Sequence, residues 1–142
     1  MNELQTTKIE GAILPAAIKD DADFVSQVID KTDYPGCDYL EFIGIIGATD
    51  VEMATLKVME SDTKSDATTL GGTPSLVKDA TTKPGATDDG KAFVFGVDLR
   101  KSRKQFLQLQ AKAGNGTSGT FLAAVCIGRR LTESSPNASD RG

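Results

Sequence analysis

Histidine and tryptophan are missing from this chain altogether. Without histidine there is no imidazole to move protons near neutral pH, no Ser-His or Cys-His nucleophile pair, and no histidine metal ligand. Without tryptophan, and with Tyr34 and Tyr39 as its only polar aromatics, the chain has little with which to stack a sugar ring. Cysteine is scarce: Cys37 and Cys126 stand far apart and form no Cys-x-x-Cys motif. Cys126, inside the apolar run "FLAAVCIG", reads as a small buried hydrophobe. Cys37 follows a Pro-Gly turn, and the sequence leaves its exposure and its redox state with Cys126 open. Nothing signals the export that would favour a disulfide.

Long apolar runs are lacking as well. No stretch approaches the roughly 18 apolar residues that a membrane helix needs. The opening "MNELQTTKIEGAILPAAIKDD" carries Glu3 and only a short, broken apolar run, unlike a secretory signal. The expectation is a soluble protein made in a reducing cytoplasm, with no membrane partner. A charge excess is also absent: the formal net charge is −4, with both signs interspersed. The basic "RKSRK" (100–104) is too short to track a phosphate backbone and reads as a turn facing water, so no nucleic-acid partner is expected.

What remains is a chain of 142 residues, 39% apolar and 25% charged, in the ordinary globular range. One domain of that length buries roughly 68–70% of its unfolded surface, enough for a core without staples.

The apolar residues recur with period two. "AFVFGVDLR" (92–100) puts Phe93, Phe95, Val97 and Leu99 on one side. "QFLQLQAKA" (105–113) sets Leu107, Leu109 and Ala111 against Gln108, Gln110 and Lys112. "MATLKVMES" (53–61) sets Leu56 and Val58 against Lys57 and Met59, the lysine marking the wetter face. "TFLAAVCIG" (120–128) groups Phe121, Ala123, Val125 and Ile127. "YLEFIGIIGA" (39–48) is apolar on both faces, as for a strand covered on both sides. "FVSQVID" (24–30) reads as a further strand, and "PSLVKDA" (74–80) is left open to a short helix.

Loops rich in Ser, Thr, Asp, Gly and Pro separate these runs, including "SDTKSDATTLGGTPS", "DATTKPGATDDGK" and "GNGTSG". The pattern predicts an all-β antiparallel sandwich over 23–128. Pro15 interrupts the apolar "AILPAAI", so residues 1–22 read as an extended arm or an edge strand. Ile13, Leu14, Pro15 and Ile18 are its candidate contacts with another surface. The polar tail, 129–142, reads as flexible.

No arrangement points to catalysis. Asp20, Asp21 and Asp23, and Asp88 with Asp89, lack calcium-loop spacing and read as solvated turn acids. Glu60 and Asp62 lie two apart with no visible partner. The glycines of "GNGTSG" lack the Gly-Lys-Ser/Thr of a phosphate loop. No enzyme activity, cofactor or metal is expected.

The stretch "DYLEFIGIIGATDVEMATLKVMESD" (38–62) resembles small proteins encoded beside the major capsid protein of tailed bacteriophages and prophages, regarded as head decoration, or cement, proteins. The likeness continues in "ATDDGKAFVFGVDLRKSRKQFLQLQAKAGNGTSGTFLAAVCIG" (86–128) and covers roughly 24–128. It rests on patterns of strand and turn. The resemblance implies a jelly-roll-like β-sandwich on the outer capsid surface, with the major capsid protein as partner, a virion location after synthesis in the bacterial cytoplasm, and no catalytic residues. Arms and open sheet edges add an expectation of homo-oligomers, trimer or dimer. A glycan-binding β-sandwich is the competing reading, and an unspecified hydrolase a third.

Overall fold

Alternating side chains pair strands so that one set faces inward. The computed structural model, which describes residues 8–130, realises this with ten strands: β1 (Lys8–Ile13), β2 (Ile29–Asp30), β3 (Tyr39–Thr49), β4 (Thr55–Ser61), β5 (Lys64–Asp66), β6 (Thr69–Leu70), β7 (Ser75–Asp79), β8 (Ala92–Asp98), β9 (Phe106–Lys112) and β10 (Thr120–Arg129). Every pairing is antiparallel.

The pairings nest. β1 pairs with β10, β2 with β9, β3 with β8 and β4 with β7, with the small β5–β6 hairpin at the tip. A long hairpin folded this way has two edges to hide, and rolling it up adds β10 to β3 and β9 to β4. The result is two four-stranded sheets, β1-β10-β3-β8 and β2-β9-β4-β7. This is the order of an eight-stranded jelly roll, the all-β sandwich that the alternation predicts.

The core lies between the sheets. Leu40, Phe42 and Ile46 of β3, Phe95 and Val97 of β8, and Leu122, Ala124 and Cys126 of β10 meet Leu56 and Val58 of β4 and Leu107, Leu109 and Ala111 of β9. Gly44 faces inward on β3 beneath the Phe93 ring. A Cβ there would lie 2.2 Å from that ring and 2.9 Å from the Ala123 carbonyl oxygen. Only glycine lets the ring settle there.

Residues 1–22 do not form an arm separate from the sandwich where they are described. β1 is an edge strand of the first sheet, and a register shift between Gly11 and Ile13 turns both Ala12 and Ile13 into the core. The loop before β3 clamps this edge: the Tyr34 hydroxyl donates to Glu10 Oε1, and Lys8 Nζ sits 4.6 Å over the Tyr34 ring. Residues 14–28 then cross the end of the sandwich. They are tied down by Lys19 N–H to the Thr120 carbonyl (3.1 Å), Asp21 N–H to that of Gly114 (3.0 Å) and Phe24 N–H to that of Ala111 (3.0 Å). Of the strand expected over 24–30, only Ile29–Asp30 pairs regularly, preceded by an isolated bridge at Ser26. "PSLVKDA" holds strand β7 rather than a helix, because its pairing with β4 satisfies the backbone. The β5–β6 hairpin lies in a segment that reads as loop, since its polar residues carry no alternation. Arg129 closes β10 and Arg130 follows it; the rest of the expected tail, 131–142, lies outside the described residues.

Candidate functional site

A sandwich has two outer faces, and here they differ in chemistry. On the first sheet, register aligns the outward residues in rows. Ala123, Ile45 and Ala92 form one; Gly11, Val125, Ile43 and Val94 the next; Ile9, Ile127, Glu41 and Gly96 the third. Val94 is 60% exposed and Ile45 54%. Phe121 extends the surface past Gly47. Four strands about 4.8 Å apart, crossed by rows about 7 Å apart, outline an apolar face on the order of 400 Å². Charge enters only at the margin, where Arg129 Nε donates to Glu41 Oε2 at 2.8 Å, and Arg100 binds Asp98 and the Tyr39 hydroxyl.

The four proposed contact residues divide. Ile13, 1% exposed, belongs to the core. Leu14, 53% exposed, folds back over Gly11, where a Cβ would lie 2.7 Å from its Cδ2. Pro15 is exposed beside it. Leu14 and Pro15 wall a cleft of about 340 Å³ with Ile43, Ile45, Ala123 and Val125. They thus extend the apolar face. Ile18 is exposed further along the crossing segment.

Sequence reasoning missed this face in part. It grouped Phe121 and Val125 correctly as sharing a side, yet assigned that side no direction. The signal was present: Cys126 reads as buried, and period two then sends Leu122 and Ala124 inward and Phe121 and Val125 out.

The second sheet's outer face is polar on the side away from Met59 and Leu76. Thr55 and Lys57 of β4 lie beside Gln108 and Gln110 of β9 in a groove of about 430 Å³, walled by Asp23, Val25 and Ser26 of the crossing segment and by Thr68 of the β5–β6 hairpin. Gln108 Nε2 donates to the Ser26 carbonyl (3.0 Å) and the Thr68 carbonyl (2.8 Å), so one side chain holds both walls. Gln110 Nε2 donates to Gln108 Oε1 at 2.9 Å.

The acidic clusters serve as loop fasteners. Asp50, just after β3, accepts from three successive backbone groups, Thr117 N–H (2.6 Å), Ser118 N–H (2.6 Å) and Gly119 N–H (3.0 Å). Those bonds, the one from Gly119 foremost, hold its carboxyl down to about 2. Gly119 takes φ +89 to close the loop against Lys19. Asp20 accepts from Gly116 N–H (2.8 Å), Asp21 faces Lys112 (3.3 Å), Asp88 accepts from Gly85 N–H (2.8 Å) and Asp89 from Thr49 N–H (3.0 Å).

Glu60 turns inward to accept from Lys104 N–H (3.1 Å), while Asp62 is exposed, so the two do not converge. The basic turn is partly engaged within the fold, Arg103 lying 4.0 Å from Glu60 and Lys104 Nζ donating to Ser75. Burial pushes the Cys126 thiol up to about 12, which keeps it protonated and unreactive at neutral pH. Both cysteines are free thiols. Among the described residues no three Cys, Asp or Glu side chains converge as metal ligands, and no helix is long and apolar enough to cross a membrane.

No family model, curated protein or solved structure matches this chain.

Proposed function

We propose that this chain is a non-enzymatic structural protein of a virion, a decoration or cement protein that binds the outer surface of a tailed-phage head and stabilises the lattice of its major capsid protein. The observation that carries the reading is the apolar outer face of the first sheet. A patch of about 300–600 Å² is the largest that a typical monomer exposes, and such patches are often functional. A stable interface takes about 800 Å² per partner, so this face suits the centre of a contact between copies of this chain, with a polar rim where Glu41, Arg129 and Arg100 stand, and the rest of the surface is left to the capsid lattice. The resemblance of the strand and turn patterns to those of head decoration proteins supports the same reading.

The physical logic is linkage. A protein that binds only the assembled lattice stabilises that lattice by about 2.7 kcal/mol per site at a hundredfold excess over Kd. Self-association through the apolar face multiplies the sites, and linked weak contacts then act at high effective concentration. Sequence and fold are compatible with a trimer or a dimer.

The test uses the full chain, heads assembled from the major capsid protein of the phage or prophage that encodes it, and the same capsid protein unassembled. The expected result is co-sedimentation with heads at near-stoichiometric copy number, a higher temperature of head disruption, and little binding to free subunits. No binding to heads overturns the proposal.

A further inference from the structure

The two outer faces point away from each other, so whatever covers the apolar face leaves the polar groove of the second sheet accessible. We infer that this groove is a carbohydrate-binding site, taking one or two sugar rings of a longer glycan. Its volume, about 430 Å³, falls within the range of about 300–1,000 Å³ typical of small-molecule clefts. The inference does not depend on the proposed function, since it concerns a different surface.

The chemistry of the walls selects the ligand class. Gln108 is committed to the walls, but the Gln110 carbonyl oxygen, Lys57 Nζ, Thr55 Oγ1 and the Asp23 carboxylate lie around the groove and make no hydrogen bond or ion pair among the described residues. The Ser26 hydroxyl, in a residue 4% exposed, is buried in the wall without a partner. That oxygen is closed off from solvent, so a ligand is met by the open groups of the groove and not by the Ser26 hydroxyl.

Amide, carboxylate, ammonium and hydroxyl groups together match vicinal hydroxyls, each of which both donates and accepts. One ammonium against one carboxylate leaves no net field for a polyanion. The groove floor is a sheet face whose backbone is engaged in the β4–β9 ladder, so an added peptide strand finds no partner there. Val25, 59% exposed at the rim, offers an apolar edge to ring carbons. With no aromatic platform, affinity for a single unit is expected to be millimolar, and multivalent display is needed for firm attachment.

The experiment is a glycan array probed with the labelled full chain. Oligosaccharides of neutral hexoses that are retained are then titrated in solution against chemical shifts of the glutamine side-chain amides. The expected result is saturable binding that moves Gln108 and Gln110, weakened about tenfold or more by Lys57→Met and by Thr55→Val at unchanged melting temperature. Both substitutions remove a polar group of the sheet surface that makes no hydrogen bond or ion pair among the described residues, so a loss of binding reads on the groove itself. No retention, shifts confined to other residues, or variants that bind as the parent does would overturn the inference. So would retention of peptides or nucleic acids in place of glycans.

Discussion

The outer faces of the two sheets are built by the same rule of alternation and carry opposite chemistry. Around the middle of β3 and β10 the outward positions are Ile43, Ile45, Ala123 and Val125; on β4 and β9 they include Thr55, Lys57, Gln108 and Gln110, with Met59 and Phe106 toward one end. The inner faces match each other and the outer faces do not. Leu, Phe and Val fill both inner faces because the core demands it. A solvent-facing sheet needs polar residues outside, which the second sheet has and the first does not. The difference therefore points to an apolar surface kept for another molecule. The polar face is partly roofed by segments of the same chain and keeps a groove; the apolar face is roofed only at one corner, by Leu14 and Pro15.

The sharpest way to break the comparison lies on one strand, where Phe42 points in and Ile45 points out. Phe42→Ala is expected to cost about 3–5 kcal/mol of monomer stability, read from chemical denaturation. Ile45→Ala is expected to change it by no more than about 0.5 kcal/mol. Comparable losses at both positions would mean that the outward face is a second core surface and not a free one.

Next in size is self-association. Pairing Ile45→Lys with Val94→Glu places charges where two exposed apolar side chains stand, each worth about 1.5–3 kcal/mol when fully buried. Sedimentation velocity should then show association weakened by about a hundredfold or more, with the folded monomer retained. Lys57→Glu, on the polar face, should leave association unchanged. If Lys57→Glu weakens association and the apolar-face pair does not, the roles proposed for the two faces are exchanged.

How far these features can be read in the sequence follows the same division. Inner faces were legible because β8 and β9 alternate cleanly, Phe95 and Leu109 standing among residues of the opposite parity. The all-β sandwich followed from that alone. The outer face of the first sheet was only half legible, because Ile43 and Ile45 alternate with Phe42, Gly44 and Ile46, and a strand apolar on both sides does not say which side is in. Strand β7 hid in "PSLVKDA" because one apolar pair serves helix or strand equally well. The groove was not legible at all. It depends on Gln108 reaching Ser26 and Thr68, contacts made 82 and 40 residues apart in sequence.

Acid should loosen one end of the first sheet more gently. Asp50 fastens the end of β3 to the loop that opens β10, the two central strands of the apolar face. Its carboxyl is held at about 2, below the ordinary 3.8. A group with a lowered folded pKa contributes stability that is fully present above the unfolded value and lost as pH falls through the folded one. In Asp50→Asn that contribution is absent at every pH. Melting temperatures of parent and variant should therefore differ near neutrality and converge between about pH 4 and pH 2. A constant gap across that window would show that the three backbone bonds do not favour the charged carboxylate. Association should weaken with the same substitution if the loop sets the position of Phe121.

The smallest effect is the most discriminating about extent. Gly96 lies outward on β8 opposite Glu41, and a Cβ there meets nothing within 4 Å. Gly96→Val should raise monomer stability by roughly 0.5–1 kcal/mol, because valine restricts the unfolded chain and suits a pleated surface. The same added bulk would press on a partner seated over Val94. Stability raised while association falls would place Gly96 inside the covered area. Stability raised with association unchanged would confine the contact to the rows through Ile45 and Val125, leaving the charged margin at Glu41 and Arg129 free to meet a different neighbour.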